Sequence, residues 1–341
     1  MRKKPVTMND VASDIGVSKQ TVSAVINGKP GISPETTARV RTAIKELGYH
    51  PNQSARSLVT GRTNSIALFI IDVSLRNLGK MASVAEEYAF NHQYNLIIYN
   101  THNDNDRESA YIDAALKRSV DGVLFMSAND LSVGPQMLQD ANVPVVAIAR
   151  RPRSYKGPFV ALNYVHAGNL AAEYLVRLGH RQLAHIAGPS DIHTSNERAQ
   201  GFRDTLSRHD SGILVEIEVA RDWTPQSGYT AMMALLARDT KVTAVFAAGD
   251  GHALGAMHAI TEAGLRIPED ISVVGGDDID LSSFLNPPLT TIDMDIPQTA
   301  NAAMQMLINI IDGKSSAESD LHVLIEPKLI VRQSAGIPKV T

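Results

Sequence analysis

Between Val17 and Gly28 the chain reads VSKQTVSAVING, and its Lys19, Gln20 and Ser23 suit the edges of nucleic-acid bases and phosphates. A lysine donates to guanine, a glutamine pairs with adenine through two hydrogen bonds, and the positive end of a helix starting here favours phosphate. Further along, AVFAAGDGHALGAMHAI sets Gly249, Gly251 and Gly255 between an apolar run and a helical one, close to the glycine cradle of a dinucleotide site. That pattern admits an NAD-dependent oxidoreductase as an alternative. Against it, Asp250 at the helix start opposes a pyrophosphate, and the acid required about 20 residues on is not convincingly placed. The chain holds no G-x-S-x-G elbow, no H-E-x-x-H helix and no P-loop. No catalytic residue is assigned, and neither cofactor nor metal is expected; with Cys 0, thiolate ligands, thiol nucleophiles and disulfides are excluded outright.

Side chains that read bases need a small rigid carrier, and the first 50 residues supply one. Thr7 and Asp10 form a capping-box-like start, with Val6 and Val11 at the staple positions, so a helix begins near Met8 and carries Val11, Ala12 and Ile15 inward. It stops at Gly16. Ser18 caps a second helix whose Val22, Val25 and Ile26 make a buried stripe, leaving Lys19, Gln20 and Ser23 on the opposite face until Asn27-Gly28 ends it. Two short helices joined by a glycine-containing turn have helix-turn-helix spacing. Ser33 and Pro34 open a third helix through Val40, Ala43, Ile44 and Leu47 to Gly48, which closes the core. Asn52 then caps a segment of two turns, too short to persist alone in water.

Charge follows the same division. Residues 1–62 hold ten Lys+Arg against four Asp+Glu, net +6, so the other 279 residues carry −10 of the overall −4. A basic head on an acidic body points to a polyanion at the head and a separate task for the body. With 341 residues and 44% apolar content the chain can fill two or three ordinary cores. No run reaches the roughly 18 apolar residues of a membrane helix, and MRKKPVTMND lacks the apolar segment of a secretory signal, so the expected location is the cytoplasm.

From Ser65 onward apolar runs (IALFII, NLIIY, GVLFM, VPVVAIA, QLAHIAG, AVFAAG, ISVVGG) alternate with helical stretches such as 82–91, 108–118, 168–178 and 253–263. Such alternation implies parallel sheets covered on both faces, and the number of elements implies two of them. Ligands bind beyond the carboxyl ends of such strands, in a cleft between facing lobes. There Arg198, in NERAQGF, offers a planar fork for ligand oxygens, and Asp277, after ISVVGG, accepts ligand hydroxyls.

The blocks D-V-A, G-V-S, T-V-S and P-N-x-x-A-R-x-L, in order within residues 7–58, resemble the headpiece of the LacI/GalR family of bacterial transcription regulators, and the resemblance runs through the whole chain. It implies an all-α helix-turn-helix headpiece (1–50), a hinge segment with a short helix (51–63) and an α/β two-lobed periplasmic-binding-protein-like core (64–341). Lobe 1 would comprise about 64–162 and 293–320, and lobe 2 about 163–292 and 321–341. The DNA-contacting set so implied is Thr7, Ser18, Lys19, Gln20, Ser23, Asn27, Asn52, Ala55 and Leu58, the last a minor-groove wedge that kinks the duplex. Ala24 stands where relatives often carry Arg or His, which alters the operator sequence rather than DNA binding. The effector-binding set is Asp72, Asn77, Arg150, Arg198, Trp223, Asp250 and Asp277, with Trp223 as a stacking surface and Asp250 as a helix cap. Ala149 and Gly249 replace an aspartate and an asparagine common in sugar-responsive relatives, so beside a sugar-like effector a nucleoside or a phosphorylated sugar stays open. The partners expected are a pseudo-palindromic double-stranded operator, a small-molecule effector and a second copy of the chain, because one headpiece presents one recognition helix. A secreted solute-binding protein shares the two-lobed body but not the basic headpiece.

Overall fold

Three capped helices build the N-terminal unit. In α1 (Met8–Asp14) the Thr7 hydroxyl accepts from Asp10 N while the Asp10 carboxylate accepts from Thr7 N at 2.7 Å, a complete capping box. Ser18 caps α2 (Lys19–Ile26) through Thr21 N at 3.1 Å, and Ser33 caps α3 (Pro34–Leu47), which ends at Gly48 with φ 63°. Val11, Ala12, Val22, Val25, Val40 and Ala43 are buried as their spacing dictates. Tyr49, two residues past the end of α3, joins them.

The computed structural model describes residues 6–49, 57, 61–126, 132–149, 152, 155–209, 212–238, 241–314 and 321–339. Asn52, Ala55, Leu58 and Arg150 lie outside the described residues. The chain divides into two compact units, 1–63 and 64–341.

In the second unit, β1 (Ser65–Ile70), β2 (Asn95–Asn100), β3 (Gly122–Phe125), β4 (Val145–Ala149), β5 (Phe159–Leu162) and β11 (His322–Ile325) form a parallel sheet in the order β11-β5-β4-β3-β1-β2. It is flanked by α4 (Arg76–Asn91), α5 (Asn105–Lys117), α6 (Gly134–Asp140) and α11 (Ile296–Ile311). A second parallel sheet, β7-β6-β8-β9, is built from β6 (Gln182–Ala187), β7 (Leu214–Val219), β8 (Ala244–Ala247) and β9 (Ser272–Val274). Its helices are α7 (Tyr164–Arg177), α8 (His193–His209), α9 (Pro225–Leu236) and α10 (Asp250–Glu262). β10 (Thr291–Asp293) pairs antiparallel with β12 (Lys328–Ile330) where the chain passes between lobes.

Three corrections to the sequence reading follow. The helices begin three to six residues earlier than the stretches read from the sequence; at Asn105 the first turn, capped by Asp104, is polar and carries no apolar signal. Residues 322–325 belong to the first sheet, because β11 pairs with β5, so the chain returns to lobe 2 only after Ile325. Asp250 is the first residue of α10 and not its cap; that position falls to Gly249, which has no side chain to offer.

Lobe 2 rests on two close helix pairs. A Cβ on Gly168 of α7 would stand 2.1 Å from Arg198 O, and one on Gly201 of α8 would stand 1.9 Å from Val165 O. The same device joins α9 and α10, where Gly255 meets Pro225 O at 1.9 Å and Gly228 meets His252 O at 2.4 Å. These clearances against backbone atoms cannot be relieved by a side-chain rotation. Gly201→Ala should therefore destabilise the protein by about 1–3 kcal/mol through forced separation of α7 and α8. The midpoint of urea unfolding measures this, and an unchanged midpoint would refute the tight crossing.

Candidate effector site and nucleic-acid interface

Because β6, β8 and β9 run parallel, their carboxyl ends share one edge, and the chain leaves them through Gly188, Gly249 and Gly275-Gly276. Arg198 approaches from α8, anchored by the α7–α8 crossing at its own carbonyl. It is 5% exposed; its Nη2 donates to Gly276 O and to Asp277 Oδ1, both at 3.2 Å. The guanidinium lies 4.8 Å from the Tyr164 ring centre and 5.7 Å from that of Trp223. Its Nε is buried without a hydrogen-bond partner, as is Ser195 Oγ nearby. A buried donor left unpaired is costly, and both atoms lie at the edge where the strands end.

Asp277 is held from below by Asp250. The Asp250 carboxylate, wholly buried, accepts from Gly276 N (2.8 Å), Asp277 N (3.2 Å), Ile279 N (2.9 Å), Ser282 Oγ (2.5 Å) and Thr291 Oγ1 (2.5 Å). With five donors already on it, Asp250 acts by fixing the loop and does not face an effector. Asp278 takes the left-handed conformation, φ 47°, and is tied to Arg332 at 2.7 Å, which turns the chain away and leaves Asp277 at the edge. The other Asp277 oxygen accepts from Asp250 N at 3.2 Å, so Asp277 caps α10 from outside. A Cβ at Gly249 would stand 2.7 Å from that oxygen.

The glycines of the dinucleotide-like run are thus explained by packing. Gly249 clears Asp277, Gly251 clears Trp223 O at 2.6 Å and Gly255 clears Pro225 O. Nothing in this arrangement cradles a phosphate. Trp223 is half-buried; its ring edge lies where a Cβ on Gly188 would be, 2.5 Å from Cη2. Arg198, Trp223 and Asp277 are therefore brought together as the sequence reading placed them. Tyr164, Gly188 and Ser195 were not legible as members, because none interrupts an apolar run with charge.

On lobe 1, Asp72 follows β1 and accepts from Ser74 N at 2.9 Å; that bond is the main cause holding its pKa below the ordinary carboxylate value. Asn77 is half-buried in the first turn of α4. Asn100, paired in register with Ile70, has a buried Oδ1 without a partner; the polar end of NLIIYN was the available signal. In the headpiece Lys19 and Gln20 are exposed in the first turn of α2, Ser23 is half-buried, and Asn27 Nδ2 donates to Ser23 O at 2.8 Å. The Thr7 and Ser18 hydroxyls are exposed but occupied as caps. Among the described residues no group of three or more His, Asp or Glu is arranged to hold a metal ion, and no helix is long and apolar enough to cross a membrane.

Burial pushes the Asp277 pKa up to about 7; the Arg198 charge pulls it down less strongly, and the Asp250 charge adds to the rise. Its folded pKa therefore lies above the unfolded one, and the stability it contributes at low pH is lost as pH rises toward 7. An Asp277→Asn variant, which cannot titrate, should gain thermal stability relative to the parent as pH is raised from 5 to 8. Parallel pH–Tm profiles for the two proteins would refute the raised pKa.

Residues 7–52 match the family model for bacterial regulatory proteins of the lacI family, and residues 172–335 that for a periplasmic-binding-protein-like domain. The HTH-type transcriptional repressor PurR of Pectobacterium carotovorum is 37% identical over 333 residues, covering 97% of both chains, and that of Photorhabdus laumondii is 36% identical over 96% of each. The Lac repressor dimer bound to operator and the anti-inducer ONPF superimposes with TM-score 0.88 at 30% identity, covering 98% of this chain and 100% of the other. The CelR–cellobiose complex does so with TM-score 0.71 at 31% identity, covering 97% and 100%. These relatives are transcriptional repressors and a transcriptional regulator, not enzymes, which removes the oxidoreductase reading. From its capped headpiece to its two-lobed body, the chain belongs to the LacI family of bacterial transcription regulators.

Proposed function

We propose that this repressor binds a pseudo-palindromic operator as a homodimer, each subunit reading one half-site with the first turn of α2, and that a ring-shaped effector held by Arg198, Asp277 and Trp223 governs the grip. The observation that carries the effector half is the buried Arg198–Asp277 pair beside an indole, with Nε and Ser195 Oγ lacking partners. Such a site stacks a flat or ring-shaped body while its donors take an acceptor atom from the ligand. For the DNA half, the support is the exposure of Lys19 and Gln20 on a helix whose other face is locked in a core.

The effector fits a sugar derivative with few hydroxyl contacts. CelR was solved with cellobiose and the Lac repressor with ONPG, which favours a saccharide-type body. Ala149 and Gly249 leave two positions without polar side chains, so a densely hydroxylated ligand would lose partners here. Residues 51–63 are assigned as the hinge, with Leu58 as the wedge between central base pairs. Closure of the lobes then changes the spacing of paired hinges, a coupling between sites of about 1–3 kcal/mol.

Operator selection from a random library with the purified protein, followed by gel shifts at fixed salt, tests the DNA reading. Gln20→Ala should cost about 1–3 kcal/mol at one base pair per half-site and relax preference there. A uniform loss across all sequences would make Gln20 a phosphate contact only. For the effector, a metabolite screen scored by operator release or tightening identifies the ligand. Arg198→Ala should then keep operator affinity and lose the response, and an unchanged response would remove Arg198 from the site.

A further inference from the structure

Next to Trp223 stands His252, on α10, a residue with no part in the site as described so far. The two rings are nearly parallel, 13° between planes with centroids 5.2 Å apart. His252 Nε2 lies 2.6 Å from Asp222 O, the carbonyl immediately before Trp223; a carbonyl can only accept, so Nε2 carries the proton and the ring is the neutral Nε2–H form. The other nitrogen, Nδ1, is buried and has no partner. One ring thus touches the loop 221–224 twice, at the indole face and at the backbone one residue earlier.

We propose that His252 is the positioning residue that sets the Trp223 indole as a wall of the effector pocket. Its own place is fixed independently of any ligand: His252 is fully buried, and Gly228 of α9 packs on its backbone, where a Cβ would stand 2.4 Å from His252 O. Gly251, one residue earlier, admits the Trp223 carbonyl at 2.6 Å. Asp222 accepts from Thr224 N at 2.9 Å and Ser227 Oγ at 2.7 Å, so the loop that His252 grips is also tied to the start of α9. The first turn of α10 thereby carries both walls of the pocket: through Asp250 it holds the Asp277 loop, and through His252 it holds the indole.

The charged groups around this ring set the direction of its titration. Burial, first, and the Arg198 charge hold the His252 pKa below its ordinary value, while the bond to Asp222 O and the Asp222 charge oppose them. His185 on β6 is also close enough to interact, and is itself held neutral by burial, its pKa lowered to about 4. Protonating His252 would place a second N–H in a buried position without an acceptor, which works against the stacked arrangement.

This inference rests on the assignment of Trp223 to the pocket, but its test does not require a ligand. Trp223 is the single tryptophan of the chain, so its emission reports one site. Three variants divide the two contacts: His252→Phe keeps the ring, His252→Gln keeps a donor for Asp222 O, and His252→Ala removes both. In His252→Ala the acrylamide quenching constant of Trp223 should rise about two-fold or more, with smaller rises for the other two, as the loop opens locally. Operator affinity without effector should stay within about two-fold, the headpiece being a separate unit. In the parent protein a change in emission should occur on the acid side of the ordinary histidine range and be absent from all three variants, whereas a change near pH 7 from Asp277 should persist. Unchanged quenching in a folded variant, or persistence of the low-pH step without His252, would overturn the proposal. If His252→Ala does not fold, the Phe and Gln variants and the parent pH profile decide the matter alone. Increased quenching with an unaltered effector response would instead displace Trp223 from the effector site and leave the role of His252 standing.

Discussion

The buried carboxylate of Asp250 is the constraint on which the site depends. A carboxylate removed from water is tolerated only when hydrogen-bond donors replace its hydration, and here five do so. Those donors come from the loop after β9, the short turn at 280–284 and β10, so a single side chain ties α10 to three other pieces of lobe 2. Once Gly276 N, Asp277 N and Ile279 N point at Asp250, Asp277 has little freedom. Arg198 completes the arrangement with Gly276 O and Asp277 Oδ1, so the loop carrying Asp277 is held from two sides.

Glycine does the complementary work of clearing space. The crossings at Gly168 and Gly201 and at Gly228 and Gly255 bring backbones closer than any Cβ permits, which fixes where α8 and α10 present Arg198 and His252. A glycine-rich strand–helix junction has more than one physical cause. In a dinucleotide site it admits phosphate to a helix terminus; here the same spacing admits the Asp277 carboxylate, a tryptophan carbonyl and a neighbouring helix. The occupant of the cleared space, and not the spacing, separates the two.

Local chemistry was legible in the sequence wherever one residue acts on its near neighbours. Thr7, Ser18 and Ser33 cap helices because a hydroxyl reaches an amide two or three residues on, and the Val22–Val25 stripe is buried because helical spacing puts it on one face. Alternating runs gave two parallel sheets for the same reason. What stayed hidden depends on distant partners. Tyr49 lies two residues past the last helical residue and carries no periodic signal; β11 joins the first sheet only because β5 offers an open edge; Asp250 reads as a cap in the sequence because its partners lie 26 to 41 residues away. Arg198 and Asp277 stood out as charge at strand ends and Trp223 through the family resemblance, whereas Ser195 and His252 needed three-dimensional neighbours.

The two sides of the effector cleft differ in how firmly they are made. Lobe 2 presents a tied Asp277 and a stacked Trp223, while on lobe 1 Asp72 is half-buried in an Asx-type turn and Asn77 sits in a helix start with no side-chain cap. Between the lobes, Lys80 on α4 and Asp280 in the 280–284 turn approach to 3.6 Å with 44% and 76% of their side chains exposed. An ion pair so open to water contributes about 0–1 kcal/mol, less than the 1–3 kcal/mol of a typical allosteric coupling. The pair therefore cannot lock the lobe arrangement against an effector. An effector moves that equilibrium only by the difference between its contacts in the two arrangements.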